Sequence, residues 1–308
     1  MIINLICSFI RLLKTIIRLF MNLFNREFQQ IIKYGQNNYI EFYNGNMNLL
    51  ISVPHDGTFM PHFITNRTSD KSNNLKRDLN TEKIANEIRN HLKVLFNSEG
   101  KVPFMIVNKL HRLKMDPNRD PELCCEMKSE ASYTAYNEYH DFISNDFVEY
   151  FLKSNKFKNS LLIDLHGHNH SEKMIELGYM LSSNYLNKNG FIKNTINTSI
   201  SNLALSSEYK LDELIRGEVS FGAILNNNIS DVTVLPSPSM RAPGIGKYYS
   251  GGFIIERYGS RCEYNRNKPL ISAIQVELPQ FMRTDSNYST YSLGIAKSIY
   301  EFYKVHNF

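Results

Sequence analysis

From residue 35 onward, short apolar runs alternate with longer amphipathic stretches, and this alternation predicts the elements. Residues 47–53, 103–107, 160–165 and 271–278 are strand-length apolar runs, which predict buried strands. Residues 81–96 carry Ile84, Ala85, Ile88, His91 and Leu92 at helical spacing, predicting a helix with that face inward. Further helices are predicted over 133–152, 211–216 and 292–303, the last one closing the chain. Asn-rich stretches at 184–197 and 226–228 read as solvated connections, and no repeat period appears. Strands alternating with helices predict an α/β fold with helices on the faces of a sheet, in one domain over 33–308.

The first residues follow a different pattern. Asn4, Ser8, Arg11, Thr15, Arg18, Asn22 and Asn25 recur every three or four positions in an otherwise apolar segment, which predicts an amphipathic basic helix as a unit over 1–32. Charges at 11, 14 and 18 would sit at mid-membrane in a spanning helix, so peripheral contact with anionic lipid through residues 1–26 is expected. A helix packed on the domain, a mitochondrial targeting sequence and an uncleaved signal-like anchor are the alternatives.

Charge changes the picture only once it is divided. Of the net charge of +5, four lie in residues 1–26, as Arg11, Lys14, Arg18 and Arg26 with no acid. The remaining body is nearly neutral, which argues against a nucleic-acid partner. A hydrophobic content of 42% suffices for a full core. Cys7, Cys124, Cys125 and Cys262 show neither zinc-ribbon spacing nor a disulfide framework, so a reducing, intracellular compartment is expected.

Polar clusters punctuate the apolar pattern: Ser52-Val53-Pro54-His55-Asp56-Gly57, Arg77-Asp78-Leu79-Asn80-Thr81, His111-Arg112, Asn118-Arg119, Asp164-Leu165-His166-Gly167-His168 and Gln275-Val276-Glu277. In an α/β sheet, ligands gather at the carboxyl ends of the strands. His55 and His166 each follow or end a predicted strand, so both can face one crevice. A catalytic zinc needs three protein ligands and an open position, and Asp78 is taken as the third. His168 and His170 compete with His166. Asp164 is expected on the sheet face opposite His166, where it would orient a ligand loop rather than bind metal.

In this order the clusters resemble the N-formylglutamate amidohydrolase family, a relative of the zinc carboxypeptidases, succinylglutamate desuccinylases and aspartoacylases. The resemblance rests on the Pro-His-x-Gly turn at His55, Asp-x-x-Thr at Asp78 and Thr81, and His-Arg-x-x-x-Asp-x-Asn-Arg from His111 to Arg119. It continues through Asp-x-His-Gly-His at Asp164, Glu-Leu-Gly at Glu176, Tyr-Ser-Gly-Gly at Tyr249 and Gln-x-Glu at Gln275, and covers residues 47–305. It implies a carboxypeptidase-like three-layer α/β/α fold with a mixed central sheet and one Zn2+ on His55, Asp78 and His166, with Glu277 as the catalytic carboxylate. One position departs from the carboxypeptidase relatives. Their first histidine is followed three residues later by a ligand Glu, where this chain has Thr58, so Asp78 must supply the carboxylate.

The implied activity is hydrolysis of the amide bond of an N-acylated amino acid (N-formylglutamate-like) or a small peptide with a free carboxylate. Arg112 would stabilise the oxyanion or fix the substrate, and Arg119 beside Asn118 would take the substrate carboxylate. Asp116 is expected to orient that arginine turn. Tyr249 and Gly251 belong to a turn that permits close approach to a ligand, and Pro236, Pro238 and Pro243 stiffen a loop expected to border the site. Glu176 is read as either a support for the metal shell or a buried structural residue. The alternative function is a non-catalytic or repurposed family member acting as a membrane-tethered ligand-binding protein.

Overall fold

The computed structural model describes residues 28–68, 75–126, 129–154, 159–188, 190–194, 196–260 and 270–308. The helix expected over 1–26 lies outside the described residues. Residues 28–31 are irregular and the first strand opens at Ile32, so the helical unit does not extend to residue 32 as expected.

Among the described residues, eight strands form one mixed sheet: β1 (Ile32–Tyr34), β2 (Ile40–Tyr43), β3 (Leu49–Val53), β4 (Phe104–Asn108), β5 (Asn159–His168), β6 (Ile175–Gly178), β7 (Val234–Leu235) and β8 (Leu270–Pro279), in the order β1-β2-β4-β3-β5-β8-β6-β7. The central four, β4, β3, β5 and β8, run parallel, so their carboxyl ends share one edge. Antiparallel pairings join β2 to β4 on one side and β6 to β8 on the other.

Alternation along the central strands sorts their side chains into two cores. Leu49, Ile51, Val53, Leu161, Ile163, Leu165, Ile274 and Val276 pack against α1 (Thr81–Leu95) and the closing helix α6 (Tyr288–Val305). Leu50, Leu162, Ile271 and Ala273 face α2 (Glu130–Asp141) and the short α5 (Phe253–Tyr258). The fold is therefore a three-layer α/β/α sandwich, completed on its first face by α3 (Leu211–Arg216) and α4 (Phe221–Asn228).

On the α2/α5 face the strands turn polar toward their carboxyl ends. Leu50 gives way to Ser52, Leu162 to Asp164 and His166, and Ala273 to Gln275 and Glu277. Both α1 and α6 form where helical spacing predicts them, though His91 is only half-buried. The stretch predicted over 133–152 is helical but passes through a π-helical segment, Phe142–Val148, between α2 and Glu149–Ser154. Asn226–Asn228 are corrected from a loop to the last turn of α4, where Asn228 Nδ2 donates to Ile224 O at 3.1 Å. No helix among the described residues is long and apolar enough to cross a membrane.

Candidate metal centre

Three segments leaving the carboxyl edge of the sheet converge. After β3 the chain turns through His55 to Gly57, where a Cβ would lie 2.2 Å from Leu110 O, so only glycine lets this loop lie against the end of β4. The next polar cluster is tied to the loop through its backbone. Asp78 N donates to His55 O at 3.0 Å. The Asp56 carboxylate accepts from Arg77 Nη2 at 2.7 Å and from Glu82 N at 2.9 Å, anchoring the first turn of α1. Asp78, between these anchors, has little freedom to leave His55.

The nitrogen and oxygen donors of His55, Asp78 and His166 all lie within 4.8 Å of one another, and all three residues are buried. Asp78 Oδ2 is 3.2 Å from His55 Nδ1 and 3.3 Å from His166 Nδ1. The opposite nitrogen of each ring is held by a second carboxylate: Asp116 Oδ1 lies 2.7 Å from His55 Nε2, and Asp164 Oδ2 lies 2.8 Å from His166 Nε2. Carboxylates that accept the Nε2 protons fix that side of each ring, and release of the Nδ1 protons shared with Asp78 would free both Nδ1 lone pairs for a cation, the usual support for metal-binding imidazoles. Two imidazoles and a carboxylate arranged in this way could hold a divalent metal with a position left open.

Asp164 is a correction to the expectation. Strand β5 continues to His168, and residues two apart in a strand share a face, so Asp164 lies beside His166 and not across the sheet. Ser52 Oγ donates to Asp164 Oδ1 at 2.6 Å and lies 2.8 Å from the Tyr139 hydroxyl, which steadies this support from below. Asp116 does orient the arginine turn, accepting from Arg112 Nε at 2.8 Å and Asn118 N at 2.9 Å. Its contact with His55 was not anticipated. His168 does not compete with His166, because its Nε2 is engaged by Met174 O at 2.8 Å and the ring faces a different cluster with His170.

A cavity of about 930 Å³ opens over the three donors. Glu277, Arg112, Asn118, Arg119, Tyr249 and Gly251 all line it, together with the three donors. Asn118 is partly committed to the fold: its Oδ1 accepts from Ile254 N at 2.8 Å, and a Cβ on Gly252 would collide with it. Gly251 has φ of +127°, a conformation that favours glycine, and it passes against Met180 and Ile255. Pro236, Pro238 and Pro243 do not line the cavity, contrary to expectation.

Electrostatics divide the carboxylates by role. Burial pushes the Asp78 carboxyl up, but hydrogen bonds from His166 and His55, with Arg112 beside it, outweigh this and hold it well below the usual range. Burial lifts Glu277 to about 8, the His166 charge opposing and the charges of Asp78 and Glu176 adding. Gln275 Nε2 donates to Glu277 Oε1 at 2.9 Å and fixes its orientation. One side of the site thus holds a permanent anion, and the other a carboxyl able to gain and lose a proton near neutrality.

Sequence comparison finds no matching family model and no matching curated protein. Solved structures do resemble the chain. A gene product of Agrobacterium tumefaciens is 12% identical and aligns over 89% of this chain and 98% of its own, with a TM-score of 0.50. An N-formylglutamate amidohydrolase from Ralstonia eutropha is 11% identical, aligned over 90% of this chain and 97% of its own, with a TM-score of 0.49. At such identities the likeness is one of fold.

Sequence reasoning missed Arg283. Its buried guanidinium donates to Leu278 O at 3.1 Å, Leu79 O at 2.7 Å and His168 O at 3.2 Å, tying the segment after Asp78 to the ends of β5 and β8. A single arginine beyond a strand end carries no pattern that would mark it.

Proposed function

We propose that this chain is a zinc-dependent amidohydrolase that cleaves the amide bond of an N-acylated amino acid, or of a small peptide, bearing a free carboxylate. The observation that carries this reading is the convergence of buried His55, Asp78 and His166 beneath a cavity that Glu277, Arg112 and Arg119 also line. A zinc ion on these three residues would supply a Lewis acid that polarises the amide carbonyl and acidifies water.

The rest of the chemistry falls to the chain. Glu277 accepts the proton of the attacking water and returns it to the leaving nitrogen, a role its position near neutrality suits. Arg112 is held by Asp116 through Nε, and its Nη1 lies 3.9 Å from Asp78 Oδ1, which favours stabilising the oxyanion. Arg119, half-buried at the cavity wall, receives the substrate carboxylate in a two-pronged bond. Asn118 braces the wall through Ile254 more than it contacts substrate.

Metal analysis of the purified protein, followed by a panel of N-acyl amino acids and dipeptides, tests the proposal. Glu277→Gln keeps the size and the Gln275 contact but removes the base, so kcat should fall by roughly 10²–10⁴-fold with metal retained. Arg119→Ala should weaken substrates with a free carboxylate and leave an amidated analogue nearly unaffected. A metal-loaded, folded wild type without turnover on the panel would reject the hydrolase and favour the membrane-tethered binder.

A further inference from the structure

Outside the first donor set, His168, His170 and Glu176 bring three more ligand atoms within 4.8 Å of one another. His168 ends β5, His170 lies in the turn that follows, and Glu176 lies on β6. The His168 and Glu176 side chains are fully buried, and that of His170 is 11% exposed, which leaves an edge open for entry.

We infer that these three residues form a second, separate site for a divalent transition-metal cation, made of two imidazoles and one carboxylate. The geometry has the support that such ligands need. His168 Nε2 donates to Met174 O at 2.8 Å, which fixes the proton there and leaves Nδ1 as the lone pair, 3.8 Å from Glu176 Oε1. Glu176 Oε2 accepts from Tyr249 N at 2.7 Å, so Oε1 is the oxygen left facing the two rings. His170 Nδ1 lies 2.6 Å from that oxygen.

Metal binding requires two adjustments, and both are local. The His170 proton moves from Nδ1 to Nε2, which has no hydrogen-bond partner among the described residues. The His170 N–H bond to His168 Nδ1, 3.0 Å long, is given up to the cation. In return the cation neutralises a fully buried carboxylate whose charged form burial disfavours. Two imidazoles with one carboxylate suit zinc, cobalt or iron in the divalent state better than calcium or magnesium, which take oxygen donors.

The site lies behind the wall of the first cavity without sharing a ligand with it. The His170 ring stacks on Tyr249 at 4.6 Å between centroids, and Glu176 holds the Tyr249 backbone. A cation there would clamp the Tyr249–Gly251 turn against β6. The inference does not depend on the hydrolase reading.

Titration of the full-length protein with Co2+, followed by the visible ligand-field absorption of the bound ion, tests it. In a His55→Ala/His166→Ala background, about one equivalent should bind, and adding His168→Ala or Glu176→Gln should abolish it. In an otherwise wild-type chain, Glu176→Gln should lower the stoichiometry from about two equivalents to about one. Circular dichroism confirms that each variant is folded, and His170→Ala, the least buried of the three, serves if His168→Ala does not fold. A folded His55→Ala/His166→Ala protein that binds no Co2+, or one whose Co2+ survives both His170→Ala and Glu176→Gln, would overturn the second site whatever the first site does.

Discussion

At the scale of single residues, the candidate centre depends as much on the carboxylates behind the imidazoles as on the donors themselves. Asp116 and Asp164 each accept from the Nε2 side of a ring whose Nδ1 faces Asp78. Replacing either by Asn keeps the shape but lets an amide present N–H where an acceptor is needed, so the imidazole loses its enforced tautomer. Asp164→Asn should therefore weaken metal binding at the His55/Asp78/His166 site by about 10–100-fold, read by competition with a chelating dye. Unchanged affinity would mean that the ring orientation is set by packing alone. His55 and His166 were legible in the sequence because they stand at the ends of apolar strands, whereas Asp78 precedes a helix and was reached through the need for a third ligand. The Asp164–His166 contact follows from residues two apart sharing a strand face, contrary to the expectation that Asp164 lies on the opposite face. The Asp116–His55 contact was not legible, because it joins segments 61 residues apart through a loop whose path no local pattern fixes.

At the scale of elements, long and strongly patterned segments were readable and short ones were not. Strands β3, β4, β5 and β8 are buried on both faces and appear as apolar runs, whereas β7 has two residues and β1 is largely exposed. Helix α5 has six residues, too few to display a period, yet its first turn braces Asn118. Helix α2 supports a prediction of its own. It buries His140 against the Tyr258 hydroxyl at 2.9 Å and Pro117 O at 3.2 Å, and burial, with the Arg257 charge adding, lowers its pKa to about 3 from the ordinary 6.5. Because the folded value is depressed, the unfolded chain binds the proton first as pH falls. The stability is complete above 6.5 and is lost progressively toward about 3. At a pH of about 4.5 the loss from this one group is ~3 kcal/mol relative to neutrality. His140→Gln should be less stable at neutral pH but show a flatter decline between pH 6.5 and 4.5 in urea midpoints. A decline parallel to wild type would assign the acid sensitivity to other groups.

At the scale of the whole molecule, the chain combines a nearly neutral α/β/α body with a basic, apolar leading segment. The sheet explains the position of the site: four parallel strands end together, and the polar residues that replace apolar ones near those ends all face α2 and α5. Among the described residues, the central strands and both cores draw on positions after 38. The proposal that the leading segment lies in an anionic lipid interface therefore separates cleanly from the proposal about chemistry. If apolar burial and the charges of Arg11, Lys14 and Arg18 act together, full-length protein should float with anionic vesicles at low salt and be released as ionic strength rises toward about 1 M, where the screening length falls to ~3 Å. A chain lacking residues 1–26 should remain folded, keep its metal stoichiometry and stay at the bottom of the gradient. Replacing Arg11, Lys14 and Arg18 together by Gln distinguishes the two contributions, since apolar burial alone leaves some flotation that no longer responds to salt. Equal flotation of the full-length and truncated chains would place the membrane contact, if one exists, on the folded body and remove the leading segment from the account.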